Sequence, residues 1–306
     1  MKHPLPTTLI LILLFLTAQL AGLFVVYKYI SGVNSDGELE YTELPFGQQR
    51  PEVENKSMSF IWIAIAVFLG TLILLGLIKF KFYKVWKIWF FLAIFFALII
   101  AFSTFMNQWL ALIIALILAS WKIWKPNVWI HNLSEIFIYA GIAAIIVPML
   151  NMVAVFTLLV LISVYDYWAV FKSKHMVDLA KASTEAKIFP GLYIDYSSSR
   201  EYSNSTKEKV RLKNSSSNAH KVSASLSSSS AVLGGGDIAF ALLFAGTSLA
   251  SFYTQPFAIL KALVIVLFAT LGVSIILFLG KKGRFYPAMP FVSRGCFIGY
   301  GISLLI

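Results

Sequence analysis

Two aspartates carry the chemistry that this chain could perform. Asp166 follows Tyr165 near the end of one long apolar run, and Asp237 closes Gly234-Gly235-Gly236-Asp237 near the start of the next. The chain has 14 Asp and Glu; six fall between Asp36 and Glu54, and five between Asp178 and Glu208. Only Glu135, Asp166 and Asp237 interrupt apolar runs. An ionisable group in a membrane-spanning helix costs about 2.5–3.5 kcal/mol on insertion scales, and such groups are usually functional. Two carboxyls facing each other in low dielectric cannot both ionise easily, so they keep one proton and titrate as a unit. The ionised member can take a proton from a water that attacks an acyl carbon, while the protonated member donates to the carbonyl oxygen.

The elements that must position these acids are membrane helices. Only 13% of the 306 residues are charged and 59% are hydrophobic. A soluble domain carries about 25% charged residues, so this surface cannot be solvated. Nine apolar segments approach the roughly 20 residues a spanning helix needs: about 6–27, 58–79, 86–103, 106–121, 128–148, 151–171, 231–252, 256–280 and 286–306. The fold expected is an all-α membrane protein of nine transmembrane helices. The first segment is apolar from Leu9 to Val26, with only Gln19 as a strong interruption. It is too long for a secretory leader and shows no clear small-x-small cleavage site, so an uncleaved helix is expected. With the N-terminus inside, 20 of the 25 Lys and Arg fall in inner segments, Lys122 and Lys125 among them. Cytoplasmic loops are enriched in these residues. An integral multi-pass protein of the cell membrane follows, N-terminus cytoplasmic and C-terminus extracytoplasmic. The net charge of +11 is then an orientation signal, and no nucleic-acid surface is expected.

The chain divides into a six-helix bundle (1–172), a cytoplasmic loop (173–230) and a three-helix bundle (231–306). Within the loop, His175–Lys187 reads as an amphipathic surface helix. Ser197–Ser230, with 14 serines in 34 residues, reads as a disordered tether. Asp166 then lies six residues before Lys172, about 9 Å from the inner boundary, and Asp237 seven residues after Ser230, about 10 Å from the same boundary. The two acids sit at matched depth on consecutive antiparallel helices. The three glycines weaken a helix interior but allow another backbone close to the Asp237 carboxyl. Pro287-Ala288-Met289-Pro290 opens the last segment at nearly the same depth. Its prolines resist regular helix and leave an irregular strip where an extended peptide could bond. Such backbone is tolerated at membrane depth only against protein or a water-filled cavity.

These three sites, in this order, resemble the presenilin and signal peptide peptidase family. Its motifs are Tyr-Asp, Gly-x-Gly-Asp and Pro-Ala-Leu; here they read Tyr165-Asp166, Gly234-Gly235-Gly236-Asp237 and Pro287-Ala288-Met289, the last departing at Met289. Phe189-Pro190-Gly191-Leu192-Tyr193-Ile194 also looks like the presenilin stretch after the sixth helix. The compact chain looks most like the archaeal homologues, and the orientation matches presenilin rather than the inverted signal peptide peptidases. The resemblance implies proteolysis of single-span membrane proteins within the bilayer, without a metal or organic cofactor and without obligatory partner subunits. It implies Asp166 and Asp237 as the catalytic pair. Tyr165, Gly234, Gly235, Gly236, Pro287, Ala288 and Met289 are implied as supporting or substrate-contacting positions.

Other features have plainer readings. Glu135 and Arg294 are expected to snorkel or to pair with each other; alternatively Arg294 biases the aspartate pair. Lys261 is expected to snorkel, Cys296 to pack. The four histidines lack metal-ligand spacing, and no serine-nucleophile, His-Glu-x-x-His or Walker pattern is present. A transporter or channel using the membrane acids as a proton or cation path is the alternative function. It would favour inverted repeats and acids spread across the bilayer, neither of which is visible. A scaffold that keeps the fold without activity is a third.

Overall fold

The computed structural model describes residues 4–51, 53, 55–80, 82–125, 127–173, 190–195, 230–280 and 286–306. The expected amphipathic segment at 175–187, and all but the last residue of the serine tract, lie outside these. Among the described residues there are nine α-helices: α1 (Leu5–Tyr29), α2 (Ser59–Lys79), α3 (Tyr83–Phe102), α4 (Gln108–Trp124), α5 (Val128–Ile146), α6 (Met152–Trp168), α7 (Gly235–Phe252), α8 (Ala258–Leu279) and α9 (Met289–Ser303). Seven are long and apolar enough to cross a membrane; α4 and α9 are shorter. The chain is thus an integral multi-pass membrane protein of mostly helical fold.

Asparagine sets three of the helix starts. The side chains of Asn107, Asn127 and Asn151 accept hydrogen bonds from the amides of Trp109, Trp129 and Ala154, satisfying donors that a helix N-terminus leaves open. Pro148 ends α5 in a single 3-10 turn, Val147–Met149, because it cannot extend the hydrogen-bond ladder. These local signals separate α3 from α4 and α5 from α6, where apolar composition alone runs almost continuously.

Two small antiparallel sheets accompany the helices, and neither was anticipated. β1 (Ile30–Val33) pairs with β2 (Leu39–Tyr41) beyond the end of α1. β3 (Gly191–Asp195) pairs with β4 (Ser230–Gly234), Gly191 opposite Gly234 and Asp195 opposite Ser230. The second sheet moves the start of α7 from the expected 231 to Gly235.

The main core joins α1, α5, α6, α7, α8 and α9, with Phe15, Leu159, Leu242, Phe244 and Ile265 fully buried. A second core lies among α3, α4 and α5, where Ala111, Ala115 and Ala119 repeat at helical spacing on α4. Helix α2 is peripheral: apart from Ser59 at its start, none of its described residues is buried. Helices α8 and α9 pack closely through glycines on both. A Cβ on Gly295 would stand 2.2 Å from Phe268 O, and one on Gly272 2.5 Å from Phe291 O. Lipid tails are as apolar as leucine, so helices in a membrane associate through such close backbone packing. Gly295→Val should therefore lower stability by about 1–3 kcal/mol through overpacking. Thermal unfolding in detergent measures this, and an unchanged midpoint would contradict the packing described.

Candidate functional site: two aspartates at helix starts

Asp166 lies in the last turn of α6 and is only 7% exposed. The C-terminal end of a helix does not favour an anion. Its carboxylate instead meets the start of α9: the Met289 amide donates to Oδ2 at 3.1 Å, and the Ala288 backbone lies beside it. That amide is free because it opens a helix, and a helix N-terminus is a natural site for a carboxylate. Pro290, lacking an N–H, occupies the first turn without loss. Pro287 and Met289 are buried, Ala288 partly so.

Asp237 is the third residue of α7 and is partly exposed. The glycines before it stand at the helix start rather than inside a helix, which corrects the sequence expectation. Gly234 is the extended N-cap (φ −62°, ψ 143°) and lies against the Asp237 carboxylate: a Cβ there would stand 3.1 Å from Oδ2. Gly235 is buried and Gly236 exposed, so the corner opens past Gly236. Asp166 and Asp237 lie within electrostatic reach of each other. The Tyr165 hydroxyl bonds to Thr71 on α2 and lies within electrostatic reach of Asp166.

The three helices that carry these residues are registered by a shared aromatic cluster. Phe156 on α6 packs edge-on against Phe244 of α7 at 4.9 Å, stacks on Phe297 of α9 at 5.0 Å and meets Tyr300 at 5.2 Å. Ser163 and Ser293 share a hydrogen bond of 2.8 Å across the α6–α9 seam. Beside Asp166 that seam widens into a groove of about 310 Å³, lined by Val160, Val164, Tyr167, Pro290 and Arg294 among others.

Arg294 is exposed on this groove, and the expected Glu135–Arg294 pair does not form. Glu135 instead pairs with Lys122 of α4 at 2.5 Å, both side chains 2% exposed. Lys122 is therefore no loop charge but a buried helical one. Lys261 is likewise buried, donating to Gln255 Oε1 at 2.9 Å and lying over the Phe252 ring. Cys296 is buried in the core, as expected.

The sequence reading missed further residues at this end. Gln19, fully buried on α1, donates from Nε2 to Ile238 O at 2.9 Å, directly after Asp237. Its signal was present as the one strong polar break in an apolar run. Around Glu135, which the sequence did single out, His131, Asn132 and Tyr139 occupy the same face of α5, and their spacing from it was the signal available. Their side chains reach the backbone of β3, and the Tyr139 hydroxyl reaches Gly235.

Taken together, the fold and site define a class: a helical membrane protein in which two carboxyls from separate helices converge below the ends of the bundle. The sequence profile described as signal-peptide peptidase, presenilin aspartyl protease matches residues 21–306, and the chain belongs to that family. Two solved structures of a presenilin family intramembrane aspartate protease are similar in fold. In the C222 crystal form the TM-score is 0.62 at 17% identity, covering 97% of this chain and 98% of the other. In the P2 form it is 0.58 at 17% identity, covering 96% of each. No curated protein matches the chain.

The contact at Gly235 yields a paired test. A Cβ there would stand 2.4 Å from the Tyr139 hydroxyl and 3.3 Å from Pro190 O. Gly235→Ala should lower stability by about 1–3 kcal/mol, and adding Tyr139→Phe should recover part of that loss. Equal unfolding midpoints for wild type and Gly235→Ala would show that the contact is not tight.

Proposed function

We propose that the protein is an aspartyl endopeptidase that cleaves peptide bonds within or beside transmembrane segments of membrane proteins, with Asp166 and Asp237 as its catalytic pair. One observation carries this reading: two carboxyls, on helices that contact each other, lie within electrostatic reach of each other while Asp166 is held by a backbone amide. The pair shares one proton. The ionised aspartate accepts a proton from water as its oxygen bonds to the scissile carbonyl carbon. The protonated aspartate donates to the carbonyl oxygen, giving a neutral gem-diol. Breakdown returns one proton to the pair and passes the other to the leaving nitrogen, so amine and acid depart with the dyad regenerated.

Tyr165, Gly234, Gly235, Gly236, Pro287, Ala288 and Met289 support this chemistry. The glycines admit a substrate backbone close to Asp237, and the Pro287–Met289 turn fixes the amide that orients Asp166. The substrates are single-span membrane proteins, whose helix must unwind locally before its backbone can reach the dyad. The enzyme acts in the cell membrane without partner subunits or cofactor, N-terminus cytoplasmic. Burial of Lys122 removes one basic residue from the charge count that supports this orientation and leaves its direction unchanged.

Asp166→Asn or Asp237→Asn should reduce cleavage of a single-span reporter by about a hundredfold or more while the purified protein keeps its unfolding midpoint. Near wild-type cleavage by either variant would refute the assignment. Water should reach the pair from the cytoplasmic face. A cysteine at Tyr167, 60% exposed beside Asp166, should react with an impermeant thiol reagent added on that side; reaction only from the opposite side would reverse the topology.

A further inference from the structure

Three glycines precede Asp237, and glycine leaves backbone conformation the least restricted. Something outside α7 must fix where this carboxyl stands. Part of the answer is β4, which runs into the corner and pairs with β3. An isolated two-stranded sheet is marginal by itself, so the far edge of β3 matters. Along a strand, backbone groups alternate sides; Gly191 and Tyr193 direct theirs away from β4 and toward α5. Four α5 bonds meet them. The Gly191 amide donates to Glu135 Oε2 at 3.1 Å, and His131 Nε2 donates to Gly191 O at 2.7 Å. The Tyr193 amide donates to Asn132 Oδ1 at 2.9 Å, and Asn132 Nδ2 donates to Tyr193 O at 2.7 Å. The polar face of α5 thus substitutes for a third strand.

Glu135 is the hub of this face. Besides Gly191, it accepts from the Tyr139 hydroxyl and from Lys122 Nζ. Tyr139 in turn presses on Gly235, whose amide donates to Pro190 O at 3.2 Å. The corner is gripped from both sides: through its strand by Glu135 and through its glycine by Tyr139. A carboxylate has acceptor sites for all three donors, whereas an amide oxygen has about half as many.

We infer that Glu135 is a positioning residue for the reaction. Acting through Gly191 and Tyr139, it sets the Gly234–Asp237 corner relative to Asp166, while Lys122 balances its charge. This rests on the protease reading above. The alternative, a purely structural ion pair, makes a different prediction. Replacing both partners of a buried pair by neutral side chains is often neutral or stabilising. A structural pair would therefore tolerate Lys122→Met/Glu135→Gln, and a positioning carboxylate would not.

The test compares wild type, Lys122→Met, Lys122→Met/Glu135→Gln and Asp237→Asn in two measurements on the full chain. In reporter cleavage, the double variant should lose about tenfold to a hundredfold in kcat, the size of effect expected of a misplaced catalytic group. KM should stay within about twofold and the unfolding midpoint near wild type. Lys122→Met/Glu135→Asp, which restores the carboxylate, should recover part of kcat. In amide hydrogen exchange, which needs no activity, the double variant should exchange faster at 190–195 and 230–237 with α8 unchanged. Wild-type kcat and exchange in the double variant would overturn the inference; if Asp237→Asn were still inactive, the protease reading would stand. A lowered midpoint with faster exchange along the whole chain would overturn it as well, by showing a general stabilising role. If wild type cleaves no reporter, the protease reading fails by itself, and the exchange measurement still decides whether Glu135 holds the corner.

Discussion

Two carboxyls held close together at membrane depth repel each other and resist desolvation, and the rest of this structure is arranged around that conflict. Water-like solvation is scarce there, so backbone amides take its place. Asp237 sits in the first turn of its own helix, against the Gly234 backbone. Asp166 sits at the unfavourable end of α6 and borrows the start of α9, through the Met289 amide. Each acid is thus matched to a helix N-terminus, where open N–H groups and the helix dipole favour negative charge. The arrangement is reciprocal. The Met289 amide would be left unpaired in a low-dielectric site, and Asp166 satisfies it.

This conflict explains how rigid and adaptable parts are distributed. Away from the dyad, α6, α7 and α9 are locked by Phe156, Phe244, Phe297 and Tyr300, and α8 meets α9 through glycine contacts. Such packing cannot slide without opening voids. At the dyad itself the backbone is irregular: a π-helical turn at Ala169–Ser173 after α6, an extended Gly234 before α7 and a non-helical approach to α9. The polar side chains of α5 hold the strand beside that irregular backbone.

Much of this was legible in the sequence, and the failures have physical causes. Asp166 and Asp237 stood out because charge is scarce in apolar runs, and helix rise alone set the expectation of equal depth. The crowded boundaries near Ser103 and Pro148 were read from apolar composition alone; the asparagine caps that fix them were a signal left unused. The β3–β4 sheet was not legible. Five-residue strands flanked by serine and glycine carry little alternation, and their pairing joins residues about 40 positions apart. The glycine triplet was consequently placed inside a helix. Lys122 was misread because a lysine near a helix end normally faces the loop; its burial depends on Glu135, on another helix. The partner of Glu135 was misjudged for the same reason, since depth along the membrane cannot choose between neighbours around a bundle.

The short helices bear on where hydrolysis can occur. Helix α9 has 15 residues, or about 22 Å of rise, less than the roughly 30 Å hydrocarbon thickness. The helix alone does not span that thickness. Helix α7 likewise begins only at Gly235, with β4 before it. Extended chain, with glycine in one case and proline in the other, thus precedes both helices. Backbone of that kind survives at membrane depth only against protein or water. Peptide hydrolysis consumes water, and its substrate must expose backbone that a helix conceals. Irregular backbone beside the carboxyls meets the second need, whereas regular helices through the same region would offer only paired backbone. The shortness of α9, a defect by the measure of spanning length, is what leaves the Met289 amide open to Asp166.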